Sequence, residues 1–154
     1  MQCDPIVIGW REWLALPQLG VAPIKAKIDT GARTSALHVD TLEASERDGQ
    51  TWLRFEISST GRKHSPLYVC SAPAIARRMV TDSSGHASLR WFIRSTIELA
   101  GQSFETEINL TDRRNMLFPM LLGRLALGQR FIVDTSASYF HGKPLRSRPA
   151  KNQS

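Results

Sequence analysis

Apolar residues along this chain recur at every second position in short runs, and no window of a dozen residues sets them at the i, i+3, i+4, i+7 spacing of an amphipathic helix. That pattern confines the chain to a mainly β architecture. The first run is Ile6–Gly9, and residues 10–14 are expected to continue it or pair with it. Residues 17–23 read as a turn region. Residues 24–29 alternate, with Ile24, Ala26 and Ile28 on one face and Lys25, Lys27 and Asp29 on the other. Residues 37–42 and 51–58 read as further strands, the second setting Leu53, Phe55 and Ile57 opposite Trp52, Arg54 and Glu56. A polar connection at 60–66 leads to a strand at 67–72, and residues 73–79 have room for one helical turn. Asp82-Ser83-Ser84-Gly85 is a strong turn signal. Residues 89–99 and 104–110, joined by Ala100-Gly101-Gln102, predict a long hairpin with Leu89, Trp91, Ile93 and Ile97 facing away from Arg90, Arg94 and Glu98. Residues 119–122 form a short apolar strand, 125–127 a helical turn and 131–133 a last strand. The expected fold is a closed, barrel-like β domain with one or two short helices.

At 154 residues the chain has the size of one domain. Hydrophobic residues at 42% and charged residues at 22% suit a globular protein and exclude a disordered one. No apolar run approaches the roughly 20 residues that cross a bilayer, and Met-Gln-Cys-Asp-Pro at the start lacks the basic flank of a signal peptide. Cys3 and Cys70 are too few for a disulfide framework, so a reducing, cytoplasmic location is expected. The formal charge is +6, but Lys143, Arg146, Arg148 and Lys151 stand without an acid and supply +4 of it, leaving +2 for residues 1–142. The expected division is a β domain over 1–142 and a basic, flexible C-terminal tail over 143–154. The high pI is thus mostly a property of the tail and weak ground for a nucleic-acid function. Binding of a polyanion through the tail, Arg77-Arg78 and Arg113-Arg114 is the least favoured reading, because Trp52, Trp91 and Phe104 fall on alternating, core-like faces.

In Lys27-Ile28-Asp29-Thr30-Gly31-Ala32 an alternating strand ends in an acid, a small hydroxyl residue and a glycine. A carboxylate at a strand end is held by the sheet, and a glycine beside it lets another backbone or a substrate come close. The bland reading is a strand entering an ordinary turn, since three specified residues recur by chance in roughly one chain in a few tens. The context narrows it. About ninety residues on, Met120-Leu121-Leu122-Gly123-Arg124-Leu125-Ala126-Leu127 sets an apolar pair before Gly-Arg and a short helical run. In this order, on a β background, the two segments resemble the Asp-Thr-Gly-Ala signature and its partner segment in retropepsins, the retroviral-type aspartic peptidases. A narrower resemblance spans about residues 6–140. Ile8-Gly9-Trp10-Arg11-Glu12-Trp13, residues 25–38, Leu110-Thr111-Asp112-Arg113 and residues 118–127 are similar to a bacterial family of retropepsin-like fold labelled ATP-dependent zinc proteases.

The resemblance implies an aspartic peptidase, hydrolysing peptide bonds with two carboxylates that share one proton and one water. The ionised one takes a proton from the water while the protonated one donates to the carbonyl oxygen. The chain has one Asp-Thr-Gly, and Asp112 and Asp134 read as structural. The simplest solution is a homodimer with Asp29 from each chain on the two-fold axis. By the resemblance the Thr30 hydroxyl braces the pair and the Gly31 backbone lies against the water. Lys27, about 7 Å from Asp29 along the strand, is a candidate substrate contact together with Ala32, Arg33 and Arg124. Such cations suit an acidic, glutamate-rich peptide, and the family's association with ATP-grasp ligases that add glutamates points the same way. The competing reading of these cations is solvated surface charge. The flap candidate is the turn at 82–86, with its single glycine. No cofactor is expected: His38, His64, His86 and His141 lack partners at metal-ligand spacing, and no Gly-x-x-x-x-Gly-Lys-Ser/Thr loop is present to hold a nucleotide. Zinc and ATP are therefore not expected despite the family label. The alternative function is a non-catalytic retropepsin-like dimer that binds acidic peptides, and no membrane or nucleic-acid partner is expected.

Overall fold

The computed structural model describes residues 4–59, 67–82, 84–112 and 118–143. The predicted connection at 60–66, Cys3, His64, the Arg113-Arg114 pair and the tail beyond Lys143 lie outside the described residues.

Strands dominate, as the two-residue period requires. In chain order they are β1 (Ile6–Gly9), β2 (Arg11–Leu16), β3 (Val21–Ile28), β4 (Ser35–Val39), β5 (Thr41–Arg47), β6 (Gln50–Ser58) and β7 (Leu67–Pro73). They continue with β8 (Ala76–Thr81), β9 (Ala87–Leu99), β10 (Gln102–Asp112), β11 (Met120–Leu122) and β12 (Phe131–Asp134). One short helix, α1 (Arg124–Leu127), and a 3-10 turn at Pro17–Leu19 complete the described elements. The order β10-β4-β11-β3-β2-β9, together with the β9–β10 pairing, closes six strands into a barrel. At 13 residues β9 is long enough to serve three neighbours: β10 along its length, β8 at its start and β2 at its end. β5, β6 and β7 form a separate antiparallel sheet, and β1 runs parallel to β12.

The alternation maps onto the core. Ile24, Ala26 and Ile28 of β3, Ile93 and Ile97 of β9, Ile108 and Leu110 of β10, and Met120 and Leu122 of β11 are buried together. Lys25 and Lys27 point the other way, half-buried and exposed respectively. Cys70 on β7 packs into the same core, and burial pushes its thiol up to about 12, which leaves it an inert apolar group.

Four expectations need correction. β2 pairs with β3 and β9 rather than with β1, which turns away to join β12. The turn after Leu16 is shorter than residues 17–23, since β3 starts at Val21 and absorbs Pro23 next to a register shift in its pairing with β2. The run at 37–42 divides at Asp40 into β4 and β5, which belong to different sheets. Residues 73–79 hold no helical turn; they lead into β8, where Arg77 and Arg78 lay their guanidinium groups over Trp91 and Phe92 of β9 at 4.7 and 4.8 Å. Guanidinium groups over aromatic rings take the place of apolar side chains there, so no apolar period marks the strand.

Glu12 closes the molecule. Its side chain is fully buried, and its carboxylate accepts from the backbone N–H of Gly9 at 2.6 Å, Phe140 at 3.1 Å and His141 at 3.3 Å. A Cβ on Gly9 would lie 2.4 Å from the Ala137 carbonyl oxygen, so glycine alone admits the segment that follows β12. Charge-assisted bonds to a buried carboxylate contribute about 1.5–3 kcal/mol each. Glu12→Ala, which strands the buried Gly9 donor and leaves the part-buried Phe140 and His141 donors to water, should lower unfolding free energy by about 2–3 kcal/mol, read from urea melts at fixed protein concentration. A change under about 0.5 kcal/mol would show that the terminal segment does not depend on this carboxylate.

Candidate active site

β11 is three residues long, yet it runs between β3 and β4, parallel to the first and antiparallel to the second. Its end fixes everything around Asp29. The Asp29 N–H donates to the Leu122 carbonyl at 2.9 Å, and the Gly123 N–H donates to the Ser35 hydroxyl at 3.0 Å. The N–H groups of Arg124 and Leu125 donate to the carbonyls of Ala32 and Arg33 at 2.8 and 3.1 Å. A Cβ on Gly123 would fall 2.5 Å from the Thr34 carbonyl oxygen, so the close passage requires glycine. Asn109, 1% exposed on β10, pins the far side of the loop by donating to the Ser35 carbonyl at 2.9 Å and the Thr34 hydroxyl at 3.2 Å.

Within this frame Asp29 leaves the end of β3 half-buried, its carboxylate accepting from the Gly31 N–H at 3.0 Å. It lines a cleft of about 700 Å³, together with Gly31, Ala32, Arg33 and Arg124. Thr30 is exposed and not on the cleft wall; its carbonyl accepts from the Arg124 guanidinium at 3.0 Å. Lys27 is exposed and also off the wall, pairing in register with Leu121, which does line it. Of the predicted substrate contacts, the structure thus brings Ala32, Arg33 and Arg124 to the cleft beside Asp29 and leaves Lys27 outside.

The opposite wall is the β8–β9 hairpin, which contributes Arg78, Val80, Asp82, Arg90 and Phe92. The 82–86 turn is the tip of that hairpin, and of the flap candidate's described residues Asp82 lines the same cleft as Asp29. The Ser84 hydroxyl and the backbone N–H groups of His86 and Ser84 hold the Asp82 carboxyl below the usual carboxylate range. The tip turn therefore keeps its cap down through mildly acid pH and loses it only as pH falls through that depressed value.

The other carboxylate on the cleft is Glu107, bonded to Arg78 at 2.8 Å and Arg94 at 3.4 Å. Asp112 and Asp134 are exposed and off the cleft; Asp134 caps its own turn, its carboxyl lowered by the Ser136 hydroxyl and N–H. His38 also lines the cleft, with its Nδ1–H donating to the Phe118 carbonyl at 2.9 Å. Among the described residues no three of His, Cys, Asp and Glu stand close enough to hold a metal ion.

A closed barrel with a short strand threaded beside an Asp-Thr-Gly loop, and a hairpin across the cleft, is a retropepsin-like architecture. Residues 7–144 match the RimB-like family, described as "Retropepsin-like aspartic endopeptidase RimB", and the chain belongs to that family. It is 37% identical over 143 residues to a Shewanella pealeana protein named "Probable alpha-L-glutamate ligase", and 38% identical over 143 residues to one of the same name from Shewanella halifaxensis. Each match takes in 93% of this chain and 31% of the relative, so the chain spans about a third of their length. A solved Legionella pneumophila protein of unknown function, Lpg0085, superposes with a TM-score of 0.70 at 25% identity, over 88% of this chain and 97% of the other. No described helix is long and apolar enough to cross a membrane.

Sequence reading did not single out Ser35, Asn109, Arg90 and Glu107, and named Arg78 only for the polyanion reading. All five lie on strands whose polar positions acquire a role only when the barrel and the hairpin bring them together. The two glycines of the site separate cleanly. Gly123→Ala should cost at least about 2 kcal/mol in urea unfolding, because backbone must move. Gly31→Ala, which meets only the Asp29 carboxylate at 3.4 Å, should melt like wild type. Equal stability of the two variants would refute the close passage as the site's anchor.

Proposed function

We propose that the chain is an aspartic endopeptidase whose working site is assembled from two copies, and that its substrates are acidic, glutamate-rich peptides. One observation carries the first part. Asp29 stands on the cleft at a rigidly pinned strand end, while both other carboxylates on the cleft wall are already engaged, Asp82 by its turn and Glu107 by two arginines. A second carboxylate for the shared proton is best supplied by Asp29 of a partner protomer related by a two-fold axis. One Asp29, ionised, takes a proton from the water as it attacks the peptide carbonyl. The other, protonated, donates to the developing oxyanion; as the C–N bond breaks, the first passes the water's proton to the leaving nitrogen and the second recovers its proton from the hydroxyl as the C=O re-forms. Thr30 and Leu125 are exposed beside the loop, as residues facing a second protomer would be. The Gly31 backbone leaves room for the water.

Substrate class rests on charge. Arg33, Arg78, Arg90 and Arg124 all reach the cleft, and arginine forks match carboxylates in two-point geometry. The relatives' name, probable alpha-L-glutamate ligase, supports the same reading: a ligase for glutamate and a domain that cleaves between glutamates would act on one kind of chain. The ligase activity itself is assigned to proteins three times longer, and this chain offers no phosphate-binding loop for it.

The test is cleavage of a peptide library containing oligoglutamate, followed by mass spectrometry from about pH 4 to pH 8, with chelator and without ATP. Wild type should cleave acidic members, Asp29→Asn should cleave none, and chelator should change nothing. Binding of acidic peptides without Asp29-dependent cleavage would instead establish a non-catalytic peptide-binding dimer. Chelator-sensitive cleavage would overturn the metal-free mechanism.

A further inference from the structure

Arg78 and Arg90 face each other directly across the β8–β9 hairpin, on the side turned toward the cleft. Like charges in register across two strands destabilise a hairpin unless an anion lies near them. The anion present is Glu107, reaching over from β10. One of its oxygens, Oε1, bonds Arg78 at 2.8 Å; the other, Oε2, lies 3.4 Å from Arg94. The two arginines differ in position, since Arg78 lines the cleft and Arg94 does not.

This arrangement is built for exchange. The Arg78 and Glu107 side chains are 49% and 30% exposed, so their ion pair is weak and water-accessible. Losing Arg78 would not strand Glu107, because Oε2 keeps Arg94. Arg78 is meanwhile held over Phe92, its guanidinium carbon 4.8 Å from the ring centroid, a contact that does not depend on which carboxylate it binds. Arg90 is fixed beside it by donating to Ser88 at 2.9 Å and Asn109 at 3.0 Å.

We propose that Arg78, with Arg90 beside it, forms the subsite that reads a glutamate side chain of the substrate, and that Glu107 is a built-in stand-in which an entering carboxylate displaces. This rests on the acidic-peptide reading above and adds the residues that enforce it. No bond is made or broken in the exchange; one carboxylate replaces another on the same guanidinium.

The experiment measures binding, so it does not depend on turnover. Fluorescently labelled hexaglutamate and a neutral hexapeptide are titrated by anisotropy onto Asp29→Asn protein and its derivatives. Adding Arg78→Gln should weaken hexaglutamate about tenfold, as expected for loss of a charge-assisted pair. Adding Glu107→Gln should tighten it by about three- to fivefold, since the internal competitor is gone. Glu105→Gln, which makes the same charge change on an exposed β10 residue outside the cleft, should leave affinity within about twofold of the parent. In the Arg78→Gln background Glu107→Gln should have no further effect, because the two residues act on one contact. The neutral peptide should respond to none of these changes. Unchanged or weaker hexaglutamate binding in Glu107→Gln, or equal tightening by Glu105→Gln, would overturn the proposal. If the variants behave as expected but wild type cleaves nothing, the peptidase reading fails and the subsite stands. If wild type cleaves but Glu107→Gln does not tighten binding, the reverse holds.

Discussion

The passage of Gly123 against the Thr34 carbonyl is the contact on which the site depends. A three-residue strand has too few hydrogen bonds to hold a position alone, and β11 keeps its place because both flanks pair with it and its end carries no side chain. From that fixed end, backbone groups reach Asp29, Ala32, Arg33 and Ser35 in succession. The Asp29 loop is thus specified almost entirely by main-chain bonds, which tolerate little displacement. The proposed pairing of two such carboxylates at a shared proton would need that rigidity, because misplacement of a reacting group by about 1 Å costs about a hundredfold in rate.

Rigidity on one wall is matched by exchangeable charge on the other. The β8–β9 hairpin brings Arg78 to the cleft stacked on Phe92, so its charge is presented with little loss of freedom on binding. Glu107 keeps the free protein's cleft from being an unrelieved cluster of cations, and the capped Asp82 turn closes the hairpin's tip. Elsewhere Glu12 draws the segment after β12 onto the β1–β2 elbow, a second place where a carboxylate that accepts backbone N–H groups fastens the chain. That bond explains the glutamate within Trp10-Arg11-Glu12-Trp13, a segment whose aromatic residues attract attention first.

The barrel strands were legible because period two is a local property: the hairpin of β9 and β10 and the core faces of β3 and β11 follow directly from alternation. The strand-Asp-Thr-Gly and apolar-apolar-Gly-Arg segments are local patterns too, and they stand out through their resemblance to retropepsins. Other features depend on which strands become neighbours. Nothing in Ala76–Thr81 announces a strand, since Arg77 and Arg78 gain their partners only when Trp91 and Phe92 arrive from β9. Asn109 resembles any outward polar residue until β4 pairs with β10 and sets it against Thr34 and Ser35. Lys27 shows the converse. Alternation puts it on the face of Asp29, but Asp29 lies one residue past the strand, where the chain turns and the shared face ends.

The central claim is that one site is made from two Asp29 residues, and a mixing experiment tests it most directly. Wild type and Asp29→Asn are combined in varying proportion at constant total protomer concentration, allowed to exchange subunits, and assayed on the best acidic peptide. With a shared site only wild-type pairs are active, so an equal mixture should run at about one quarter of the wild-type rate, and rate should follow the square of the wild-type fraction. A rate that falls in simple proportion to that fraction would contradict the account, because each protomer would then hold a complete site of its own.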